Sequence, residues 1–175
     1  MINLTPQEFT KRFPQIGSAL EPDELQALIG LLKIQYVEAS ESLIIEGTIT
    51  DSLYFVWEGE LDVIMRAPAG EYKVAVIEQG AMLGEISLLS PGETTATVRS
   101  ELGCIALHLD VEGLKQLWDA YPHAATVFLR ELSRLVAQRI HSADETLKEL
   151  KQSRSQDTTA LMKAQSTLLT GSKLK

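Results

Sequence analysis

Cysteine is almost absent from this 175-residue chain, in which Cys104 stands alone. A single cysteine excludes an internal disulfide framework and a zinc site built from clustered cysteines. Long hydrophobic runs are also missing, and no stretch approaches the roughly 18 apolar residues that a membrane span needs. The N-terminus lacks the apolar core of a secretory signal. We therefore expect a cytoplasmic protein with no membrane partner.

Positive charge is scarce in the first 147 residues. They contain 10 Lys and Arg against 22 Asp and Glu, a net charge of −12, whereas residues 148–175 contain 6 against 2, a net charge of +4. A body with this charge repels a phosphate backbone, so we predict no DNA partner. The basic tail has no nucleic-acid-binding motif. We interpret it as a solvated end, with attraction of an acidic partner as the alternative.

Helix signals lie at both ends of the chain. Thr5-Pro6-Gln7-Glu8 and Glu21-Pro22-Asp23-Glu24 combine a cap, a proline at the first helical position and acidic residues in the first turn. They predict N-terminal helices within residues 1–33. Asp110 is predicted to cap a helix over 111–118, and the break at Tyr121-Pro122-His123 precedes a long helix.

Between these helices, residues 34–118 form short β-type runs separated by glycine and proline. The predicted strands cover 34–37, 42–45, 53–57, 61–65, 72–77, 95–98 and 104–109. Glu58-Gly59-Glu60 and Pro68-Ala69-Gly70 are interpreted as turns. Short strands every ~8–12 residues predict an antiparallel barrel or sandwich.

An apolar seam marks the long helix predicted within residues 119–152. Its members are Leu129, Leu132, Val136, Ile140, Ala143, Leu147 and Leu150. They recur every three or four residues, which is close to coiled-coil spacing. The seam from Leu129 to Leu150 predicts a homodimer, with a helix folded onto its own barrel as the alternative. Residues 153–175 are polar and predicted to form a flexible tail.

The segment from Gly80 to Val98, GAMLGEISLLSPGETTATV, is the one most suggestive of a binding site. Glycine at position 84 permits a tight turn. The following GEISLL reads as a single helical turn whose first amides form a nest for an anion. Glu85 would repel an anion, and it fits such a site if it accepts hydrogen bonds from neutral sugar hydroxyls.

From about Phe13 to Leu150 the sequence resembles the cyclic-nucleotide-binding domain family, the sensor domain of catabolite activator proteins, protein kinase A regulatory subunits and cyclic-nucleotide-gated channels. The resemblance rests on SLYFVWEGELDVI, LGEISLL, TTATV and the long final helix. It implies a mainly β fold, an eight-stranded jelly-roll β-barrel with flanking helices and a long C-terminal helix. It also implies cAMP or cGMP as the ligand.

Residues 84–98 resemble the family's phosphate-binding cassette, and the resemblance assigns roles to residues within this cassette. Gly84 matches the glycine that approaches the ribose phosphate, and Glu85 matches the acid that binds the ribose 2′-hydroxyl. Ile86 and Ser87 match the turn whose amides face the phosphate. The position of the family's phosphate-binding arginine is occupied by Thr94.

The loss of this arginine removes a charge-assisted contact worth ~1.5–3 kcal/mol, so we expect affinity lower by about tenfold to over a hundredfold. Thr95 retains a hydroxyl next to Thr94. Lys73 or Arg66, from other strands, are candidates to replace the missing charge.

At the base-contacting end, the resemblance places Ala143 and Asp144 near the adenine, with Arg139 one helical turn earlier. Asp144 is a candidate acceptor for an exocyclic amine. The alternative is a solvated helix face.

Two functions follow from these features. The first is a stand-alone regulatory sensor for a cyclic nucleotide or related phosphorylated molecule, and the second is a ligand-independent dimerisation or protein-interaction module with a degenerate pocket. We expect no catalytic residues, no metal and no cofactor. His108 is interpreted as a partly buried barrel residue, and Cys104 as a small core residue.

Overall fold

The computed structural model describes the backbone of residues 2–169 and the side chains of residues 2–149, 151 and 152. The described helices are α1 (Pro6–Arg12), α2 (Pro14–Gly17), α3 (Pro22–Leu31), α4 (Glu85–Leu89), α5 (Val111–Ala120) and α6 (Pro122–Leu169). The described strands are β1 (Lys33–Val37), β2 (Ser42–Ile44), β3 (Ile49–Thr50), β4 (Ser52–Ala67), β5 (Gly70–Glu78), β6 (Met82–Leu83), β7 (Gly92–Glu93), β8 (Thr97–Arg99) and β9 (Cys104–Asp110). The chain divides into two compact units, residues 1–133 and 134–175.

The helix caps confirm the predicted starts of α1, α3 and α5. The Thr5 hydroxyl accepts a hydrogen bond from the Glu8 amide, at 3.3 Å. In α3, the Glu24 carboxylate accepts from the Glu21 amide at 3.1 Å, as part of a capping box. The Asp110 carboxylate caps α5 by accepting from the Gly113 amide at 2.8 Å. Each bond satisfies an amide that the helix itself leaves without an acceptor.

The strands form a curled antiparallel sheet, which confirms the predicted jelly-roll-like fold with flanking helices. One sheet has the order β1-β9-β4-β8-β2, with β5 and β6 also paired to β4, and β3 and β7 form a separate pair. The described residues contain nine strands where the resemblance implied eight. Two of the short strands, β6 and β7, lie on either side of α4.

The predicted turn at Glu58-Gly59-Glu60 is wrong, because β4 continues through it to Ala67. Residues 52–56, 58 and 59 of β4 pair with β9. Residues 60–67 pair with β5, and three of them also pair with β8. The register against β9 shifts between Val56 and Glu58. The sequence pattern of a turn therefore marks a β-bulge, which bends a strand without reversing it.

The bulge changes which side chains of β4 enter the barrel. Before it, Tyr54 and Val56 belong to the interior cluster; after it, Leu61 belongs to the same cluster and Val63 packs against it. Before the bulge the even-numbered side chains face the interior, and after it the odd-numbered ones do. One inserted residue has this effect because successive side chains of a strand point to opposite faces. Other members of the interior cluster are Val37, Leu43, Ile44, Leu83, Val98, Cys104 and Ala106.

The opposite face of β4 holds the N-terminal helices. The rings of Phe9, Phe13 and Phe55 are fully buried, with centroids 5.0–5.5 Å apart. The Phe13–Phe55 pair has an edge-on arrangement, which aromatic rings favour. This cluster attaches α1 to the sheet.

The start of α6 belongs to the core of the first unit. Ala124, Ala125, Phe128 and Leu132 are fully buried there. Leu132 was predicted to contact a second copy, but within a single chain it is already covered. At Leu132 the helix therefore packs on its own domain, which was the alternative to a dimer seam.

The second unit, residues 134–175, contains the remainder of α6, up to Leu169. Ile140 and Leu147 of the predicted seam are exposed, at 63% and 53%. The side chains of Leu150 and of residues 153–169, and all of residues 170–175, lie outside the described residues. The backbone of residues 153–169 continues α6, and the flexibility of the tail stays a prediction. Among the described residues, no helix has the length and apolar character to cross a membrane.

We predict that Gly59→Ala destabilises the protein more than Gly47→Ala. Both glycines have positive φ, +87° and +79°, so both substitutions carry the left-handed strain of about 1–2 kcal/mol. At position 59 the new Cβ would also lie 2.7 Å from the Gly103 carbonyl oxygen, whereas nothing lies within 4 Å at position 47. Urea unfolding should show an additional loss of about 1 kcal/mol or more for Gly59→Ala. Equal losses would contradict the tight bulge.

Candidate functional site

The cassette begins at Gly84, between β6 and α4, with φ +83° and ψ 12°. A Cβ at this position would lie 2.3 Å from the Ser52 carbonyl oxygen and 3.4 Å from the Tyr54 ring. A side chain is therefore excluded by both conformation and space. The predicted tight turn is confirmed, and the start of β4 is what it packs against.

The short helix α4 carries the next three predicted site residues. Glu85 is buried, with 3% exposure, although it is a carboxylate at the start of a helix. Ile86 is exposed and Ser87 is half-buried. The first amides of any helix lack intrahelical acceptors. The arrangement is thus compatible with the predicted anion nest, and the ligand-binding roles of Glu85, Ile86 and Ser87 stay predictions.

Thr94 is bonded to the β2–β3 turn. Its hydroxyl donates to the Ile45 carbonyl at 2.6 Å, and its amide donates to the Thr48 carbonyl at 2.9 Å. Its own carbonyl accepts from the Gly47 amide at 2.8 Å. The neighbouring Thr95 is exposed. The Thr94 hydroxyl, which was a candidate ligand contact, therefore anchors the end of the cassette to the β2–β3 turn.

The partner of Thr94 could not be found from the sequence. Ile45 contributes a backbone carbonyl, which no residue type identifies, and it lies 49 positions earlier in the chain. The same carbonyl accepts from the Thr48 hydroxyl at 2.6 Å. The one available signal was the concentration of hydroxyl residues at Thr48, Thr94 and Thr95.

Two cations were candidates to replace the missing arginine, and both hold carboxylates elsewhere. Lys73 Nζ lies 2.7 Å from Oδ1 of the buried Asp62. This hydrogen bond is the main cause that raises the pKa of Lys73. Arg66 Nε lies 3.4 Å from Glu71 Oε1 on the exposed β4–β5 hairpin.

The predicted base-contacting residues belong to the second unit. Asp144 and Lys148 form an exposed i,i+4 pair, with 3.5 Å between Oδ2 and Nζ. Such pairs are typical of a solvated helix face. Arg139 is also exposed. Contacts of Arg139 and Asp144 with a ligand stay predictions.

A stacked ring pair lies directly behind Gly84. The rings of Tyr54 and His108 have centroids 5.7 Å apart and an interplanar angle of 24°. Nδ1 of His108 is buried without a hydrogen-bond partner. Burial, assisted by the positive charge of Lys33, lowers the pKa of His108 despite the opposing carboxylates of Asp110 and Asp51.

The remaining reactive side chains are those of a core. Burial raises the pKa of Cys104 to about 11, which leaves the thiol protonated and unreactive near neutral pH. Among the described residues, no group of three or more His, Cys, Asp or Glu could hold a metal ion.

Comparisons with known proteins agree with this geometry. The sequence profile described as Cyclic nucleotide-binding domain matches residues 34–121. The mouse potassium/sodium hyperpolarization-activated cyclic nucleotide-gated channel 2 is 27% identical over 128 residues, which are 73% of this chain and 14% of the channel. This chain therefore spans about one seventh of the length of that relative.

Two solved structures are similar to this chain. The catabolite activator protein of Thermus thermophilus has a TM-score of 0.68 and 25% identity, over 78% of this chain and 63% of that one. The regulatory domain of Toxoplasma gondii PKA, solved with cAMP, has a TM-score of 0.58 and 25% identity, over 67% of this chain and 46% of that one.

We predict that His108 makes the protein less stable in mild acid. Its folded pKa is below the unfolded value of about 6.5, so the unfolded state binds the proton more readily. The stability from keeping His108 neutral is present above about pH 6.5 and is lost as pH falls toward the folded pKa. The slope is at most about 1.4 kcal/mol per pH unit.

His108→Phe keeps the ring stack on Tyr54 and removes the titration, so it should flatten stability between about pH 7 and pH 5. His141→Gln, on the exposed helix, is the matched control and should retain the wild-type slope. Denaturant unfolding at each pH measures both variants. An unchanged slope in His108→Phe would disprove the role of His108.

Proposed function

Because the chain belongs to the cyclic nucleotide-binding domain family, we propose that it is a regulatory sensor that binds a cyclic nucleotide or a related phosphorylated small molecule. The profile match at residues 34–121 includes the whole cassette. The single observation that carries the proposal is the buried carboxylate of Glu85 directly after Gly84. A carboxylate has several acceptor sites, so Glu85 can accept hydrogen bonds from sugar hydroxyls in addition to its contacts within the protein.

We propose cAMP or cGMP as the ligand, with Glu85 on the ribose and the α4 amides on the phosphate. The support is the likeness to the PKA regulatory domain solved with cAMP. Affinity is weak, because Thr94 supplies no positive charge and the first 147 residues have a net charge of −12. The chain acts by binding, in the cytoplasm, without catalysis.

The alternative function is a protein-interaction module that has lost its ligand. It is favoured by a specific observation: the Thr94 hydroxyl is bonded to Ile45, while Lys73 and Arg66 hold carboxylates. With the Thr94 hydroxyl, Lys73 and Arg66 already engaged, a phosphate at the cassette would be bound by backbone amides alone. The two functions predict opposite results in one titration.

We predict that Thr94→Arg strengthens the binding of cAMP and cGMP. The guanidinium supplies a charge-assisted contact to the phosphate, so calorimetry should show affinity higher by about tenfold to a hundredfold. Thr94→Val is the matched control. It also loses the bond to Ile45 but adds no charge, so it should not improve binding. Adding Glu85→Ala to Thr94→Arg should remove most of the gain.

Two results would contradict this account. Submicromolar binding by the wild type would mean that another cation already pairs with the phosphate. Failure of folded Thr94→Arg to bind at millimolar ligand would favour the interaction module. The melting temperature of Thr94→Val reports how much stability the hydrogen bond to Ile45 contributes. This shows whether poor binding by Thr94→Arg comes from misfolding or from low affinity of the folded variant.

We also propose that the chain forms a homodimer through the part of α6 that lies in the second unit. The exposed Ile140 and Leu147 support it, because they are seven residues apart and lie on one helix face. Leu132, fully buried in the first unit, is excluded from this contact. The dimer seam is therefore shorter than the sequence pattern suggested.

Ile140→Asp combined with Leu147→Asp should dissociate the dimer at tens of micromolar, because burying two carboxylates in an apolar seam is strongly unfavourable. Sedimentation equilibrium measures the mass. The control, Ser142→Asp combined with Gln152→Asp, adds the same charge on other faces of the helix and should stay dimeric. A monomeric wild type at the same concentration would contradict the dimer.

A further inference from the structure

A cavity lies on the outer face of the sheet, beneath α1, and shares no lining residue with the cassette. Its volume is about 240 Å³. Arg12 and Glu8 enter it from α1, and Glu58 and Trp57 enter it from the bulge of β4. This volume is below the range of roughly 300–1,000 Å³ that is usual for larger ligands. The cavity therefore suits a small molecule.

The guanidinium of Arg12 packs on the Trp57 ring and has no ion-pair partner among the described residues. Its Cζ lies 4.5 Å from the centroid of the Trp57 ring, and its Nε is buried without a hydrogen-bond partner. Glu8 and Glu58 line the same cavity, yet among the described residues neither forms an ion pair with Arg12. The buried Nε is closed to a ligand, so a bound carboxylate would contact the remaining N–H groups of this guanidinium, which can bind a carboxylate through two donors.

The floor of the cavity is a row of residues across three strands, in which Tyr36 and Ile105 lie next to Glu58. Tyr36 of β1 and Glu58 of β4 both pair with Ile105 of β9. Tyr36 and Ile105 line the cavity, and the same row continues into a neighbouring groove of about 400 Å³. An apolar chain that leaves the cavity along this row would cover Tyr36, which is 61% exposed.

We propose that this cavity binds a small zwitterion, an α-amino acid with an apolar side chain. Arg12 binds the carboxylate, Glu8 and Glu58 bind the ammonium, and the side chain lies over Tyr36 and Ile105. Two carboxylates beside one guanidinium disfavour a phosphate or a dicarboxylate. Arg12 in turn disfavours a ligand with positive charge only. A ligand that carries both charges satisfies both sets of groups.

The proposal is independent of cyclic-nucleotide binding, because its residues come from α1 and the outer face of the sheet. Whether the cassette binds a nucleotide or nothing, the cavity contains the same charges. Adding cAMP or cGMP, which would bind at the cassette, should therefore leave the titration of the full chain with the amino acid unchanged.

The test uses L-leucine as the probe, with 4-methylpentanoate and 3-methylbutylamine as analogues that lack the ammonium or the carboxylate. Nitrogen-15 NMR of the full chain follows the indole N–H of Trp57 and the Nε–H of Arg12. Millimolar leucine should shift both signals saturably, and each analogue should bind at least about tenfold more weakly. The indole of Trp118, outside the cavity, is the internal reference.

Glu8→Gln combined with Glu58→Gln tests the ammonium contact while leaving Arg12 in place. Leucine affinity should fall by about tenfold, whereas 4-methylpentanoate should bind as well or better. The control, Glu112→Gln combined with Glu145→Gln, removes equal charge elsewhere and should change neither.

Two outcomes would overturn the proposal. Absence of a shift with all three compounds would mean that Arg12 only packs on Trp57. Equal binding of leucine and 4-methylpentanoate, unaffected by the glutamine substitutions, would mean a carboxylate site without the ammonium contact.

Discussion

The β-bulge in β4 is the constraint on which the rest of this domain depends. One strand of sixteen residues joins β9 and β6 at its start to β5 and β8 at its end. The shift between Val56 and Glu58 lets the same strand supply interior side chains to both halves of the curled sheet. Without the shift, the apolar residues after Glu58 would face the wrong side, because side chains alternate strictly along a strand.

Contacts with the start of β4 and with the end of β2 position the cassette. Gly84 packs against the carbonyl of Ser52, where β4 begins, and Thr94 is bonded to Ile45, just after β2. Both contacts are made within the protein. Part of the motif that looks like ligand recognition in sequence is therefore also required by the fold, and the presence of Gly84 alone does not indicate a bound nucleotide. The same holds for Glu85, which is buried and also has contacts within the protein.

Local patterns predicted the elements, and long-range contacts decided the exceptions. The caps at Thr5 and Asp110 and the β-type runs were readable because each depends on neighbours within a few residues. Glu58-Gly59-Glu60 was misread because a turn and a bulge both use glycine at positive φ. The partner strand β9, about 50 residues later, decides between them. The same applies to Leu132, whose helical spacing fits a dimer seam and a core equally.

Charge placement limits what the cassette can bind. Asp62 is buried and holds Lys73, so the lysine could move to a phosphate only by leaving an uncompensated buried carboxylate. Arg66 is on an exposed hairpin with Glu71, where an ion pair contributes little and is easily exchanged. Of these two cations, Arg66 is thus the one that an anionic ligand could recruit at small energetic cost. If the cassette binds a cyclic nucleotide as proposed, its backbone amides and Glu85 would supply most of the contacts. Any contribution from Arg66 would weaken as ionic strength rises, because an exposed cation is screened by salt.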